Sequence, residues 1–102
     1  MVGSELELHQ VIYAYLLAQI QFGYYRCGES LPRMEELCRQ SHISIDTVAQ
    51  AYHRLRREGV ISLTQKAGAK VSVSYSQEEI DGHVRHYFAQ REAALRDLSW
   101  SI

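Results

Sequence analysis

The order of periodic segments and turn glycines between residues 20 and 73 constrains the fold most. Apolar residues recur at helical spacing before Gly23, and again in two short segments between residues 33 and 58. From residue 60 onward they alternate with polar residues. A change of period from 3.6 to 2 marks the passage from helices to strands. The sequence therefore predicts three helices followed by a β-hairpin.

The first predicted helix covers residues 6–22. Its apolar stripe repeats every four residues and consists of Leu8, Ile12, Leu16 and Ile20, widened by Val11, Tyr15 and Leu17. This repeat places the stripe on one face of an amphipathic helix. Gly23 follows where a helix end favours a left-handed residue.

The second and third predicted helices are short and closely spaced. Pro32 is disfavoured inside a helix but suits its first turn, so the second helix is expected at about residues 33–40. Ser44 is the expected N-cap of the third helix, and Gly59 ends it. The inward stripe of this helix is Val48, Tyr52 and Leu55, and its opposite side carries Asp46, Gln50, His53 and Arg57.

Residues 60–64 and 70–74 are predicted to form a hairpin. Both segments alternate apolar and polar side chains, and Gly68 lies in the intervening tip. Three helices followed by such a hairpin have the order of a winged helix-turn-helix. The predicted fold is thus mainly α with a small β wing, and it usually holds its third helix in a DNA groove.

Residues 76–102 are predicted to be a second unit, separate from the domain at 1–75. Ser76 and Glu79 have the spacing of a capping box, which begins a fourth, amphipathic helix. Its apolar stripe includes Ile80, Val84, Tyr87, Phe88, Leu95 and Leu98. We expect the first five of these residues to form a dimer interface. The alternatives are that the helix folds back on its own domain or leads into a further domain that senses an effector.

Composition limits the class of protein. The 102 residues are 46% hydrophobic and 23% charged, as in a globular domain, and no apolar run reaches the length of a membrane helix. Cys27 and Cys38 are too few for a disulfide scaffold and fit reduced thiols in the cytoplasm. The net charge is −1, but residues 31–75 hold seven basic and four acidic side chains. This local surplus of +3 lies in the segment expected to face DNA phosphates.

Residues 8–73 resemble the N-terminal domain of the GntR family of bacterial transcription regulators. The resemblance rests on the segments Ile20-x-x-Gly23, Gly28-Glu29-x-Leu31-Pro32, Met34-Glu35-Glu36-Leu37-Cys38, Ser44-Ile45-Asp46-Thr47-Val48 and Leu55-x-x-Glu58-Gly59-Val60-Ile61. It implies a homodimer on a near-palindromic operator, with effector sensing in a domain after residue 76. It also implies DNA contacts at the starts of the second and third helices and in the wing.

The candidate DNA-binding residues are Arg33, Ser44, Asp46, Thr47, Gln50, His53, Lys66 and Lys70. Gln50 suits adenine, and Asp46 suits the amino group of cytosine. Where the family usually carries arginine, this chain has Glu35, Ile45 and Ala49. We expect Ile45 either to pack beside Tyr52 or to touch a thymine methyl group. For any one of the polar candidates, an ordinary solvated helix face is the competing interpretation.

Other functions are less well supported. No Ser-His-Asp arrangement, paired-carboxylate cleft or phosphate-binding glycine loop can be assembled, so an enzyme is not expected. Glu79, His83 and His86 have the helical spacing of metal ligands, but surface or interface histidines are favoured, and no metal or cofactor is expected. The main alternative is a winged helix that has lost DNA binding and works as a protein-interaction module. A continuously positive surface around Ser44 and the wing would favour the DNA-binding function.

Overall fold

The computed structural model describes residues 5–101 of the chain, and the side chains of residues 8–93. The elements are α1 (Glu5–Gln21), α2 (Met34–Ser41), α3 (Ile45–Arg57), β1 (Ile61–Thr64), β2 (Gly68–Val71) and α4 (Gln77–Ser101). The predicted fold class, a mainly helical winged helix-turn-helix with a further C-terminal helix, is confirmed.

The core forms where α1 packs against α3 and the hairpin closes over their ends. Its fully buried side chains include Leu16, Val48, Ala51, Tyr52 and Leu55, each with no exposed surface. The predicted inward stripe of α3 is therefore confirmed. The wider stripe on α1 is wrong at Val11 and Tyr15, which are 62% and 56% exposed. Helix α2 is short and does not cover the whole width of this stripe. The outer edge of the stripe on α1 is therefore exposed to water.

Helix α3 has the caps that its sequence predicts. The hydroxyl of Ser44 accepts a hydrogen bond from the backbone N–H of Thr47, at 3.3 Å between N and Oγ. Gly59 follows the helix with a φ of 78°, a left-handed conformation that costs glycine little. These two residues set the ends of the helix, because the Ser44 hydroxyl satisfies an otherwise unpaired N–H of the first turn and Gly59 takes a conformation that would strain another residue type.

The second strand of the wing ends at Val71 and not at the predicted residue 74, and this strand has an additional backbone partner. β1 and β2 pair antiparallel from Ile61↔Val71 to Thr64↔Gly68. Residues 28–31 lie along the other side of β2. The N–H of Leu31 donates to the carbonyl of Ala69 at 2.9 Å, and the N–H of Val71 donates to the carbonyl of Glu29 at 2.9 Å. β2 is thus paired on both sides.

Helix α4 begins by folding back on α1. The predicted capping box is present, with the Ser76 hydroxyl accepting from the Glu79 amide and the Glu79 carboxylate accepting from the Ser76 amide. These bonds lower the pKa of Glu79. Ile80 is 5% exposed, and Tyr87 stacks edge-on against Phe22 with ring centroids 5.2 Å apart.

Farther along α4 the packing against the domain ends. Phe88 is 60% exposed although it belongs to the predicted apolar stripe. The predictions for Leu95 and Leu98 lie outside the residues whose side chains the structure describes. The division of the chain at residue 75 remains a prediction.

Candidate nucleic-acid interface

The outward face of α3 is formed by side chains spaced around one side of the helix. Ile45, Asp46, Gln50 and His53 are exposed, and Ala49 between them is half-buried. The helical period brings these residues onto one surface, opposite the core stripe. Three of the four exposed residues are polar and were predicted from the sequence.

Thr47 was predicted to contact DNA, and the structure places it in the core instead. It has no exposed surface, and its hydroxyl lies 2.8 Å from the hydroxyl of Ser44. The reason is the helical period, which groups residue 47 with Val48 and Ala51 on the inward side. Thr47 therefore supports the N-cap and is removed from the candidate interface.

The wing tip is a tight loop with exposed cations. The amide of Ala67 donates to the Thr64 hydroxyl at 3.0 Å, which closes the turn. Lys66 within this turn and Lys70 on β2 are both exposed. Gly68, which begins β2, has a φ of 74°, so a side chain there would be strained.

Arg33 connects the start of α2 to this wing. Its guanidinium donates to the carbonyl of Lys66 at 3.5 Å and lies against Gly68. Arg33 is the N-cap residue of α2, and it is exposed. The structure thus places Arg33 against the wing that carries Lys66 and Lys70; we call these three predicted phosphate contacts the cationic wing group.

A cleft of about 400 Å³ separates the wing from the start of α2 and from α3. Its polar lining includes Arg33, Glu35, His53 and Gln65, above a floor to which Tyr52 and Leu63 contribute. Glu35 lines this cleft, and Asp46 is exposed in the first turn of α3. These two acidic side chains reduce the positive charge expected around Ser44, whereas Lys66 and Lys70 are exposed on the wing.

The C-terminal end of α3 is held by a cluster that sequence patterns did not indicate. Arg54 lies over the ring of Tyr13, 3.8 Å from its centroid, and pairs with Glu58 at 3.3 Å. The Tyr13 hydroxyl donates to Glu58 as well. That hydrogen bond, followed by those from Arg54, lowers the pKa of Glu58. Arg54 therefore ties α3 to α1 and faces away from the candidate interface.

His83 on α4 packs against neighbouring residues of the fold. The ring of His83 stacks edge-on against Tyr75, with its Nδ1 atom 3.1 Å from the carbonyl oxygen of Gln21. Within the described part of the chain, no group of three or more His, Cys, Asp or Glu residues is arranged to hold a metal ion. None of the helices described here is both long and apolar enough to cross a membrane.

Solved structures of similar shape are regulators of transcription. A GntR family transcriptional regulator from Listeria monocytogenes is 20% identical, with a TM-score of 0.63 over 90% of this chain and 80% of that one. YtrA from Sulfolobus acidocaldarius, a GntR-family transcription factor, is 22% identical, with a TM-score of 0.63 over 91% and 79%. At these identities the comparison establishes the shared fold.

One similar structure includes nucleic acid. S. agalactiae BusR, in complex with its busAB-promotor DNA, is 18% identical, with a TM-score of 0.60 over 96% of this chain and 53% of that one. A comparison with curated protein sequences found no match.

The family is established by a separate comparison. The family model described as bacterial regulatory proteins, gntR family, matches residues 8–71. The matched segment runs from the start of the apolar stripe on α1 to the last residue of β2, which is more than half of the chain. The chain therefore belongs to the GntR family of bacterial regulatory proteins.

Proposed function

We propose that this chain binds duplex DNA sequence-specifically as the DNA-binding part of a GntR-type transcription regulator. Residues 44–58 are the recognition helix in the major groove, and the wing at 60–74 lies against neighbouring phosphates. The observation that carries the proposal is the exposed outward face of α3 beside the cationic wing group. A helix in the major groove and cations on the backbone are the two kinds of contact that specific binding needs.

The two surfaces have different roles in the proposal. The cationic wing group neutralises phosphates, so its contribution is independent of sequence and falls as salt rises. Gln50 and Asp46 are exposed on α3, where hydrogen bonds to base edges distinguish one base pair from another. Glu35 and Asp46 oppose phosphates nearby, so the general attraction to DNA depends on the wing.

The test is a fluorescence anisotropy titration of duplex DNA at several salt concentrations. Lys66→Ala or Lys70→Ala is expected to weaken binding to all sequences alike and to reduce the salt slope by about 0.9 per lost phosphate contact. Gln50→Ala is expected to change sequence preference. Arg85→Ala, an exposed cation on α4, is the matched control and should leave binding unchanged. A folded sample that binds no duplex DNA at low salt would rule out the proposal.

The proposal includes a homodimer formed through α4. Phe88 is exposed next to half-buried Val84, so this part of the helix presents apolar surface that its own domain leaves uncovered. Two such helices related by a twofold axis would present two recognition helices to half-sites about 34 Å apart. We place such a regulator in the cytoplasm, where the bacterial chromosome lies. An effector would act through a domain other than the winged helix.

A protein-interaction module is the second candidate function. It is favoured by the acidic side chains of Glu35 and Asp46, and by Ile45, on the surface where the family usually carries arginine. In that case α4 would bind another protein, and α3 would make no base contacts. The two candidates predict opposite results in the DNA titration.

A further inference from the structure

We propose that α3 selects its operator through the methyl groups of thymine, with Ile45 and Ala49 as the specificity-determining residues. This inference rests on the proposed DNA-binding function and names the chemistry by which the same surface reads sequence. It makes the preferred half-site one with T·A pairs in the major groove facing the start of α3.

The exposure of Ile45 is the first observation. Its side chain is 44% exposed, whereas Ile12, Ile20, Ile61 and Ile80 are all at most 6% exposed. Ile45 thus lies outside the buried core cluster to which Tyr52 belongs. A branched apolar side chain at the first position of a recognition helix is left in water by the free domain, and a partner surface with apolar groups would cover it.

Ala49 extends this apolar surface by one turn. Residues four apart lie on the same side of a helix, so Ile45 and Ala49 are neighbours on the outward face. The small side chain of Ala49 lets a base edge approach the helix closely. Of the groups on base edges in the major groove, the C5 methyl of thymine is the apolar one, and contacts from alanine and similar side chains recognise it.

The charges around these residues favour the same base pairs. Between residues 45 and 53 the chain has no lysine or arginine, so the commonest contact to guanine is not available from the first two turns of α3. Asp46 disfavours the two acceptor atoms on the guanine edge, and its match to the amino group of cytosine would place a C·G pair, read from the cytosine strand, beside the T·A pairs. Gln50 matches the acceptor and donor of adenine, which is the base paired with thymine.

The test begins with selection of binding sites from a randomised duplex pool by the wild-type protein. The best site is then synthesised with each thymine replaced in turn by uracil, which pairs identically and lacks only the methyl group. We expect one or two of these replacements to weaken binding by about fourfold, the effect of one buried methyl group. The other replacements should have little effect.

The variants assign the effect to a residue. Ile45→Ala should lower the ratio of thymine to uracil affinity toward one at the sensitive position, while Ile45→Val should retain most of it. Lys66→Ala should weaken binding to the thymine and uracil versions of the DNA site equally, because a phosphate contact is independent of the base. The ratio of the two affinities should therefore stay unchanged. Circular dichroism checks that each variant is folded.

The outcomes separate this inference from the proposed function. If the protein selects and binds a site but no uracil replacement matters, or if Ile45→Ala keeps the wild-type ratio, methyl recognition is wrong and DNA binding stands. If no sequence is enriched and no duplex is bound, the proposed function fails and the inference fails with it.

Discussion

A buried tyrosine on α3 holds this helix at its position in the domain. Tyr52 has no exposed surface, and its hydroxyl donates to the carbonyl of Pro32 at 2.6 Å. This bond connects the middle of α3 to the residue that precedes the start of α2. Burial is the main cause that raises the pKa of Tyr52 above its ordinary value of 10.0. The folded protein therefore favours the neutral, protonated form of Tyr52.

This tyrosine predicts a loss of stability in alkali. Because the pKa of Tyr52 is raised in the folded protein, the unfolded chain loses this proton first, at about pH 10.0. The contribution is complete below that pH and decreases as the pH rises above it. Urea denaturation at pH 8 and pH 11 should show the decrease.

Tyr52→Phe is the control for the alkaline experiment. It should be less stable by about 1 kcal/mol at neutral pH, the usual effect of a lost hydrogen bond. Its further loss of stability in alkali should be smaller than that of the wild type. Some loss should remain, because the pKa values of Tyr13 and Tyr25 are also raised by burial. An identical alkaline loss in both proteins would contradict the role of Tyr52.

Ile45→Arg tests one of the three positions at which the family usually carries arginine and this chain does not. Since Ile45 is 44% exposed, the change should alter stability by less than about 0.5 kcal/mol. The new cation should strengthen binding to unrelated duplex DNA and increase the salt slope by about 0.9. Ala14→Arg, on an exposed part of α1, is the matched control for added charge. Equal or weaker affinity in Ile45→Arg would remove residue 45 from the DNA surface.

At the scale of elements, side-chain chemistry predicted the ends and faces of the helices better than their contacts. Ser44, Gly59 and the capping box at Ser76 act locally, so the sequence shows them directly. The pairing of residues 28–31 with β2 uses backbone groups, which leave no residue pattern. The Tyr13–Arg54–Glu58 cluster joins residues 45 positions apart, a proximity that exists only after folding.

The candidate site was partly predictable for the same reason. The helical period separated Gln50 and His53 from the core correctly. It also grouped Thr47 with the core, but the resemblance to the GntR family had implied a DNA contact for that residue. Arg33 was predicted as a phosphate contact, whereas its position against the wing depends on the tertiary fold.

The N-caps of α3 and α4 make a matched pair for mutation. Ser44→Ala should destabilise the domain by about 1 kcal/mol, because it removes the acceptor for the Thr47 amide and the partner of the Thr47 hydroxyl. Ser76→Ala removes the corresponding acceptor for the Glu79 amide, on a helix that lies outside the proposed DNA interface. Urea denaturation measures both effects.

DNA affinity then distinguishes the two caps. Ser44→Ala should weaken duplex binding under conditions where the protein is fully folded, because in the proposed complex the start of α3 meets the bases. Ser76→Ala should leave the affinity of each domain for DNA unchanged. If both variants bind DNA as tightly as the wild type, the start of α3 is not at the interface.

For the whole molecule, the central question is how two copies would be joined. Ile80 and Tyr87 dock α4 on its own domain, while Phe88 is left exposed. The sequence had placed all of them in one dimer interface. The structure divides the stripe into a docking part and an exposed part, because α1 ends at Gln21, beside the first turns of α4.

We predict that Val84→Glu/Phe88→Glu shifts the protein from dimer to monomer in sedimentation velocity at micromolar concentration. Two new carboxylates would have to be buried without partners in the dimer. His86→Glu/Gln90→Glu adds the same groups on the other side of α4 and should leave the dimer intact. A wild-type monomer, or a dimer unaffected by the first pair of changes, would show that α4 does not join the two copies.

The double pairing of β2 separates the wing into a fixed base and an exchangeable tip. Residues 28–31 on one side and β1 on the other hold the base, whereas residues 65–67 form the loop between paired positions. Changes within those three residues should leave the ladder bonds in place, because the paired positions lie outside them. We therefore expect the domain to keep its fold with a tip of different length or charge, such as a loop grafted from another regulator.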